Sequence, residues 1–316
     1  MDEESWQEFM PTGLTKDQFR EFTKYYDEEV FKGVAHSIRA KAFDCDALLP
    51  TERIQAIAEL FSTFKNPDKE TVLTPWKVVN MHLTLAFGGH NFSSGAMVYN
   101  KPEWISKDVD TSVWTAEDTK ILEINSKSGL YPLLAAYNIY TRQLKKEKKS
   151  EDEVSKYLWN KVLSEHVYVL CKSPMAESIT RRTLAGYSGA RTHIVYIQDL
   201  VKKLQQKDQY KNYDLKKELF EKFSINDLDM KFNAVVGNPP YQEKTDNSRD
   251  SPIYNYFMDE AFRLSDSVCL ITPARFLFEA GQTPKEWNRK ILSDKHIKVK
   301  YFEHKSNKVF PNTDIK

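Results

Sequence analysis

The sequence lacks the features that would point to a secreted or membrane protein. It has three cysteines in 316 residues, Cys45, Cys171 and Cys269, which are too few and too widely spaced for a disulfide framework or a cysteine metal site. It contains no apolar run approaching about 18 residues, the length that a membrane-spanning helix needs. Its acidic first residues, 1–6, do not have the pattern of a secretory signal. We therefore expect a cytoplasmic protein with reduced thiols and no membrane partner.

A strong net charge is also lacking. The 46 lysines and arginines nearly balance the 45 aspartates and glutamates, so the net charge is +1. The distribution is uneven, because residues 1–70 carry 9 basic and 15 acidic side chains, whereas residues 285–316 carry 9 and 4. A basic C-terminal end is suited to a phosphate backbone, although charge alone favours a solvated surface.

The pattern of apolar residues predicts a helical N-terminal region followed by an α/β domain. Residues 1–70 repeat apolar side chains at three- and four-residue steps, as amphipathic helices do. Beyond them, short apolar runs alternate with helical patterns, which predicts a doubly wound, mostly parallel sheet over residues 71–316. Residues 100–118 and 202–222 are expected to be polar connections. The predicted strands are 120–125, 167–171, 193–198, 232–236, 268–272 and 298–304.

The fourth predicted strand ends in an unusually stiff polar loop, Gly237-Asn238-Pro239-Pro240-Tyr241. The two prolines prevent strand or helix from continuing, so the loop lies at the carboxyl end of a strand, where open α/β sheets bind ligands. The Asn238 amide oxygen and the Pro239 carbonyl form a rigid pair of acceptors that suits a planar amino group. Tyr241 offers a flat face on which a base can stack. The simpler interpretation, a polar turn after a strand, explains Asn-Pro alone but not the whole motif.

Asn238-Pro239-Pro240-Tyr241 resembles the catalytic motif of amino-group methyltransferases that use S-adenosylmethionine. The flanking chain resembles the N6-adenine DNA methyltransferases of restriction–modification systems, in their gamma motif order. The resemblance implies a Rossmann-like methyltransferase fold, S-adenosylmethionine as cofactor, and double-stranded DNA with a flipped adenine as substrate. No metal is implied, and none of the histidines has metal-ligand spacing. By this resemblance the catalytic residues are Asn238, Pro239, Pro240 and Tyr241, and Tyr241 also contacts the substrate base.

Three other stretches carry the resemblance. Thr74-Pro75, which predicts a helix start, matches the loop that the family places over the methionine part of the cofactor. Asp199 follows the third strand, where the family has an Asp that accepts a hydrogen bond from the cofactor's adenine; a helix N-cap is the alternative. Phe276 is similar in position to a wall of the family's base pocket, with a core aromatic as an equal alternative.

The turn after the first strand is only partly similar to the family's cofactor loop. The family has an acid, Pro, any residue, Cys, Gly, any residue and Gly, where this chain has residues 123–129, Glu-Ile-Asn-Ser-Lys-Ser-Gly. Ile124 replaces the Pro and Lys127 the middle Gly, a form that a subset of restriction-associated methyltransferases shares. Strand, small-residue turn and helix is the geometry that cradles a nucleoside. The resemblance assigns the cofactor to Glu123, Asn125, Ser126 and Gly129.

Two further departures leave alternatives open. The family's ribose-binding acid would follow the second strand, but this chain has Cys171-Lys172-Ser173-Pro174, so that contact is not assigned. The last residues stop within an element, before the final hairpin and target recognition domain of the family. We expect a C-terminally truncated catalytic domain whose partners are a fused or associated restriction nuclease or recognition domain. The alternatives are a methyltransferase that acts on RNA or on protein glutamine, and a methyltransferase-like DNA-binding or assembly module with impaired cofactor binding.

Overall fold

A five-stranded parallel sheet forms the centre of the protein. The computed structural model describes residues 1–11, 13–64, 73–92, 102–206, 213–243 and 251–310. The strands, in chain order, are β1 (Gly89–Asn91), β2 (Glu103–Ile105), β3 (Ile121–Ser126), β4 (Val167–Cys171), β5 (His193–Tyr196), β6 (Ala234–Gly237), β7 (Gln242–Glu243), β8 (Ser251–Pro252) and β9 (Val268–Leu270). The central sheet has the order β5-β4-β3-β6-β9 with every neighbouring pair parallel, whereas β1–β2 and β7–β8 are antiparallel pairs. The predicted α/β fold with a Rossmann-like parallel sheet is confirmed.

Helices connect the strands and precede the sheet. In chain order they are α1 (Glu3–Phe9), α2 (Lys16–Thr23), α3 (Glu28–Asp44), α4 (Pro50–Ser62), α5 (Trp76–Phe87), α6 (Ser112–Thr115), α7 (Leu130–Leu144), α8 (Glu151–Glu165), α9 (Pro174–Ala185), α10 (Leu200–Gln205), α11 (Leu215–Phe223), α12 (Tyr254–Leu264), α13 (Lys285–Ser293) and α14 (Ser306–Val309). Short 3₁₀ turns cover Cys45–Ala47 and Ala274–Phe278. No helix in the described ranges is both long enough and apolar enough to cross a membrane.

The sheet has a hydrophobic core on each face, because successive strand residues point to opposite sides. Ile121, Val169 and Val236 pack on the face that α7, α8 and α9 cover. Leu122 and Val235 pack on the other face, against α11 and α12. Helix α7 is the most enclosed of the covering helices, since all of residues 130–140 are buried. Helices on both faces make this a doubly wound sheet.

The chain reverses direction across the sheet between β3 and β6. From β3 it moves outward through β4 to β5, and it then returns to place β6 on the other side of β3, followed by β9. The connections leaving the carboxyl ends of β3 and β6 therefore diverge, which opens a crevice at that edge. The candidate loop at Asn238 follows β6 and so lies at this switch point.

The prediction that residues 202–222 form a connection is wrong for most of its length. Helix α10 extends to Gln205, and α11 occupies Leu215–Phe223, while residues 207–212 lie outside the described part of the chain. Leu215, Leu219 and Phe220 share one buried face of α11. The many lysines of this segment made it look like a polar connection. They lie on the solvent-facing side of the helix, opposite the buried face.

Two other short elements differ from the prediction. Residues 102–118, expected to be a polar connection, contain β2 and α6, and Trp114 of α6 is buried and donates its indole N–H to the Phe87 carbonyl at 3.0 Å. Residues 298–304, predicted as a strand from their alternation, are described but form no strand. An alternating sequence becomes a strand only when a neighbour supplies hydrogen bonds, and no described segment pairs with these residues.

The N-terminal helices pack on the sheet domain to different degrees. Helix α1 contacts α9 and α4 contacts α7. Arg53 of α4 also reaches α9, where it donates to the Thr183 carbonyl at 2.8 Å. Helices α2 and α3 form as predicted, but they contain no buried residue, and several of their apolar side chains, such as Phe31, are exposed. The predicted boundary at residue 70 lies outside the described residues, and the division into a helical region and a catalytic domain stays a prediction.

Candidate functional site

The Asn238 loop leaves the sheet through a position that only glycine can fill. Gly237, the last residue of β6, has a φ of +147°, and a Cβ built there would lie 2.4 Å from the Ile124 carbonyl oxygen of β3. Any side chain would therefore force β6 away from β3. The close approach brings the start of the loop directly beside the end of β3, so the two candidate stretches lie together at the carboxyl edge.

Asn238 links three separate parts of the chain. Its side-chain Nδ2 donates to Thr74 Oγ1 at 3.1 Å, and its backbone carbonyl accepts from Asn125 Nδ2 at 2.8 Å. Asn125 ends the regular part of β3 with a φ of +68°, a left-handed conformation that asparagine tolerates better than most residues. The predicted catalytic residue thus contacts one predicted cofactor residue before α5 and another at the end of β3.

The Asn238 amide oxygen is a buried acceptor without a partner. Oδ1 makes no hydrogen bond with any described residue and is shielded from solvent. An acceptor left in this state costs about 1–3 kcal/mol, so a ligand that brings an N–H donor to it recovers that free energy. The Thr74 contact holds the amide with its nitrogen satisfied and its oxygen available.

Pro239, Pro240 and Tyr241 complete the loop. Pro239 is buried and Pro240 half-buried, and the Tyr241 carbonyl accepts from the Ile253 backbone at 3.0 Å, next to the β7–β8 pair. Burial raises the pKa of the Tyr241 hydroxyl, and a hydrogen bond from the Asn238 side chain opposes that rise only in part. Tyr241 is therefore a neutral, half-buried aromatic residue at the end of the Asn238 loop.

Glu123, on the strand next to β6, carries a second buried side-chain oxygen that lacks a hydrogen-bond partner among the described residues. It lies within β3 opposite Val169 and Val236, is 5% exposed, and its Oε2 has no partner among the described residues. Burial raises the pKa of Glu123 from 4.5 to about 8, and a hydrogen bond from Ser126 opposes the shift. A carboxyl group in this state is mostly protonated at neutral pH, and a positive charge bound beside it would favour its ionised form.

Ser126 and Gly129, two other residues assigned to the cofactor, are engaged with helix α9. Ser126 Oγ is 3.0 Å from Thr180 Oγ1, and a Cβ at Gly129 would lie 3.1 Å from Thr180 Cα. Gly129 has a φ of +78° and begins α7. The structure thus accounts for both residues by packing of the turn against α9, and their contact with a cofactor stays a prediction.

Asp199 lies away from the Asn238 loop, at the far edge of the sheet. It follows β5, which β4 and β3 separate from β6, a distance of about 14 Å at the usual strand spacing. It occupies the N-cap position of α10, but its side chain makes no capping bond and pairs with Lys202 at 3.2 Å. The N-cap alternative is therefore not supported by a hydrogen bond, and the adenine contact stays a prediction.

Phe276 packs in a hydrophobic cluster outside the loop. It is 5% exposed, and its ring centroid lies 6.0 Å from that of Tyr254 and 5.6 Å from that of Trp287. These contacts match the core-aromatic alternative. A contact with a substrate base stays a prediction for Phe276.

A hydrogen-bonded chain behind the loop was missed by the sequence analysis. His82 of α5 lies with Nδ1 2.6 Å from the Tyr131 hydroxyl and with Nε2 2.9 Å from Cys269 Sγ. Burial lowers the pKa of His82 to about 4, so the imidazole is neutral. This chain joins α5, α7 and β9, the elements that surround Glu123 and the Asn238 loop, and no local motif distinguishes its members.

Helix α1 also reaches the carboxyl edge, which the sequence did not indicate. Glu4 accepts from the Tyr196 hydroxyl and from the Asp199 backbone N–H, the latter at 3.2 Å. Glu8 is buried and accepts from Ser173 Oγ. An acidic residue in the first turn of a helix, such as Glu4, is ordinary. Nothing near Glu8 in the sequence indicates its burial either.

Part of the chain is similar to a known protein family. No curated protein matches the chain. Residues 165–310, a little under half of the chain, match a protein-family model described as Eco57I restriction-modification methylase. The matched part includes β4, β5, β6 and β9 together with the Asn238 loop, whereas β3 and its turn precede it. Over these residues the chain is similar to restriction-modification methylases, which supports a methylase and implies DNA as its substrate and a methyl donor as its cofactor.

Proposed function

We propose that this protein is an S-adenosylmethionine-dependent DNA methyltransferase of a restriction–modification system, and that it methylates N6 of a flipped adenine. The observation that carries the proposal is the unpaired Oδ1 of Asn238, held by Thr74 at the switch point of the sheet. The similarity of residues 165–310 to restriction-modification methylases supports the same function.

The residues at the carboxyl edge fit the cofactor. S-adenosylmethionine carries a positively charged amino group and sulfonium, and it supplies a methyl group that leaves readily for a nucleophile. Glu123 offers a buried carboxyl oxygen without a partner on β3, and Thr74 and Asn125 contact the Asn238 loop beside it. We assign Glu123, Thr74 and Pro75 to the methionine part of the cofactor, and Asp199 to its adenine. Asn125, Ser126 and Gly129, in the turn after β3, contact the cofactor as well.

The Asn238 loop supplies what adenine's amino group needs to react. The lone pair of that nitrogen is delocalised into the ring, so it is a weak nucleophile. Asn238 Oδ1 and the Pro239 carbonyl accept its two hydrogens and stabilise the positive charge that develops as the nitrogen attacks. Pro240 fixes the direction of the Pro239 carbonyl, and Tyr241 stacks on the flipped base.

The substrate is double-stranded DNA, because the similar family acts within restriction–modification. A base inside the duplex cannot reach a buried oxygen such as Asn238 Oδ1, so the target nucleotide must leave the stack. A fused or associated recognition domain or nuclease would supply the sequence specificity and much of the DNA affinity.

Asn238→Ala tests the proposal. The variant should lose at least 100-fold in methyl transfer to DNA, because removing one preorganised hydrogen-bonding group from a transition state costs about that much. Calorimetry should show nearly unchanged binding of S-adenosylmethionine. Transfer of a radiolabelled methyl group is measured with DNA, RNA and protein as alternative acceptors. Asn226→Ala, at an exposed asparagine, is the matched control.

The outcomes separate the candidate functions. Transfer to RNA or protein but not to DNA would replace the substrate, and unchanged turnover in Asn238→Ala would remove that residue from its role. Failure of the wild type to bind S-adenosylmethionine at millimolar concentration would favour the second candidate, a methyltransferase-like DNA-binding module. That candidate is supported by α1, which lies over the carboxyl ends of β4 and β5.

A further inference from the structure

The carboxyl end of β4 lacks an acidic residue of its own. The residues that follow the strand are Lys172 and Ser173, and Cys171 ends it. In open α/β sheets a carboxylate near this edge accepts the hydroxyl hydrogens of a bound ribose. Neither a buried thiol nor a lysine ammonium can replace it, because the thiol is a weak acceptor and the ammonium has no acceptor.

Helix α1 brings a carboxylate to this position from a distant part of the chain. Glu8 is 2% exposed, and its Oε2 accepts from Ser173 Oγ, two residues beyond β4. One turn earlier on the helix, Ser5 Oγ accepts from the Met175 backbone at 3.0 Å, which fixes α1 against the start of α9. The Glu8 charge is among the causes that raise the pKa of the Cys171 thiol, so the carboxylate adjoins the end of the strand.

One oxygen of this carboxylate has no partner. Glu8 Oε1 makes no hydrogen bond within the described part of the chain. Glu4 lies on the same helix, but its two oxygens accept from the Tyr196 hydroxyl and the Asp199 N–H. A buried carboxylate oxygen without a donor is costly, so the difference between Glu8 and Glu4 marks Glu8 as an acceptor that a ligand would satisfy.

We infer that Glu8 accepts the ribose hydroxyls of the nucleoside cofactor and so replaces the acid that β4 lacks. The inference rests on the proposed function, since it names a further cofactor residue of the same site. Oε1 is enclosed while α1 is seated, so α1 must lift for the ribose to reach it and then closes over the nucleoside end. The seven-residue α1 is thus part of the cofactor site rather than a separate N-terminal extension.

Glu8→Gln tests this role in the full chain. Glutamine keeps an oxygen for Ser173 and nearly the same volume, but it removes the charge that strengthens hydrogen bonds from hydroxyls. Calorimetric titration with S-adenosylmethionine should show affinity reduced by about tenfold or more. Glu3→Gln, on the same helix but exposed and paired with Lys16, should bind as the wild type does. Thermal unfolding of both variants checks that the fold is retained.

A second titration identifies the ribose as the group recognised. Wild-type protein should prefer adenosine to 2′,3′-dideoxyadenosine, and Glu8→Gln should lose most of that preference. Equal binding of S-adenosylmethionine by Glu8→Gln and wild type would overturn the inference. Tighter binding by the variant would also overturn it and would show that α1 excludes the nucleoside. A wild type that binds cofactor through Glu8 but transfers no methyl group would refute the proposed function alone.

Discussion

Glu123 is the residue whose protonation the fold controls most clearly. Burial holds its pKa at about 8, so in the folded protein about nine-tenths of the molecules carry the proton at pH 7. A cationic group bound beside it lowers that pKa and releases the proton. Binding of S-adenosylmethionine at pH 7 should therefore release close to one proton, measured by calorimetry in buffers of different ionisation enthalpy. Glu123→Gln should show no such buffer dependence. A buffer-independent binding enthalpy in the wild type would contradict the assignment of Glu123 to the cofactor.

The same residue predicts how stability changes with pH. The folded pKa is raised above the unfolded value of 4.5, so the folded state holds a proton that the unfolded state has lost. Unfolding releases that proton between pH 4.5 and about 8, and Glu123 therefore lowers the free energy of unfolding as pH rises, by about 1.4 kcal/mol per pH unit. Urea unfolding should show Glu123→Gln increasingly more stable than the wild type up to about pH 8. Glu221→Gln, at an exposed carboxylate of α11, should follow the wild-type curve.

At the scale of single residues, the sequence predicted those whose chemistry depends only on their neighbours in the chain. The Asn238 loop combines two acceptors in adjacent residues, and the structure adds the Thr74 contact to it. Glu8 was missed because its role depends on Ser173, which is 165 residues away, and nothing near Glu8 indicates burial. His82 has no local sequence signal for the same reason, since its two partners lie on other elements.

At the scale of elements, the pairing of β3 with β6 depends on one glycine. Gly237→Ala would place a Cβ 2.4 Å from the Ile124 carbonyl at a φ of +147°, so the strands must separate. We expect a loss of about 2–4 kcal/mol in the free energy of unfolding, the range of severe packing and backbone defects. Gly33→Ala is the matched control, because it lies in the exposed helix α3 with nothing within 4 Å and should stabilise by about 0.5–1 kcal/mol. Equal melting temperatures for the two variants would contradict this account of the strand pair.

Helices and strands could be predicted where the spacing of the apolar residues agrees with their burial. The buried strands β4 and β6 are short apolar runs, and the first eleven residues of α7 are mostly apolar, so both kinds stood out. Helix α11 was missed because five of its nine residues are charged and only its spacing marks a buried face. Residues 298–304 were assigned to a strand because alternation is visible in sequence, whereas the presence of a pairing partner is not.

For the whole molecule, the parallel order of the strands creates the site. Asn125 and Asn238 are 113 residues apart, and they meet because β3 and β6 are neighbours at the switch point. A propensity argument cannot supply that order, since each strand is compatible with several neighbours. The order also fixes which surface faces a ligand, because every strand of the sheet ends at the same edge and each following loop begins there.

We expect duplex DNA to bind at the carboxyl edge of the sheet. Lys298 and Lys300 are exposed in the basic segment after α13, and the charge of Lys300 acts on Cys269 of β9, so the segment lies near the candidate site. Lys148 and Lys149 are also exposed, but they follow α7, which runs from the carboxyl edge of β3 back to the opposite edge.

Replacing either pair by glutamine removes two positive charges, so the two double variants differ in position but not in net charge. Lys298→Gln with Lys300→Gln should weaken binding of a fluorescent duplex at low salt. It should also reduce the slope of log affinity against log salt by about 0.9 for each phosphate that the variant no longer neutralises. Lys148→Gln with Lys149→Gln should leave both quantities unchanged in the same anisotropy titrations. Equal weakening in the two variants would mean that DNA responds only to net charge, and the docking edge would then have to be sought elsewhere on the molecule.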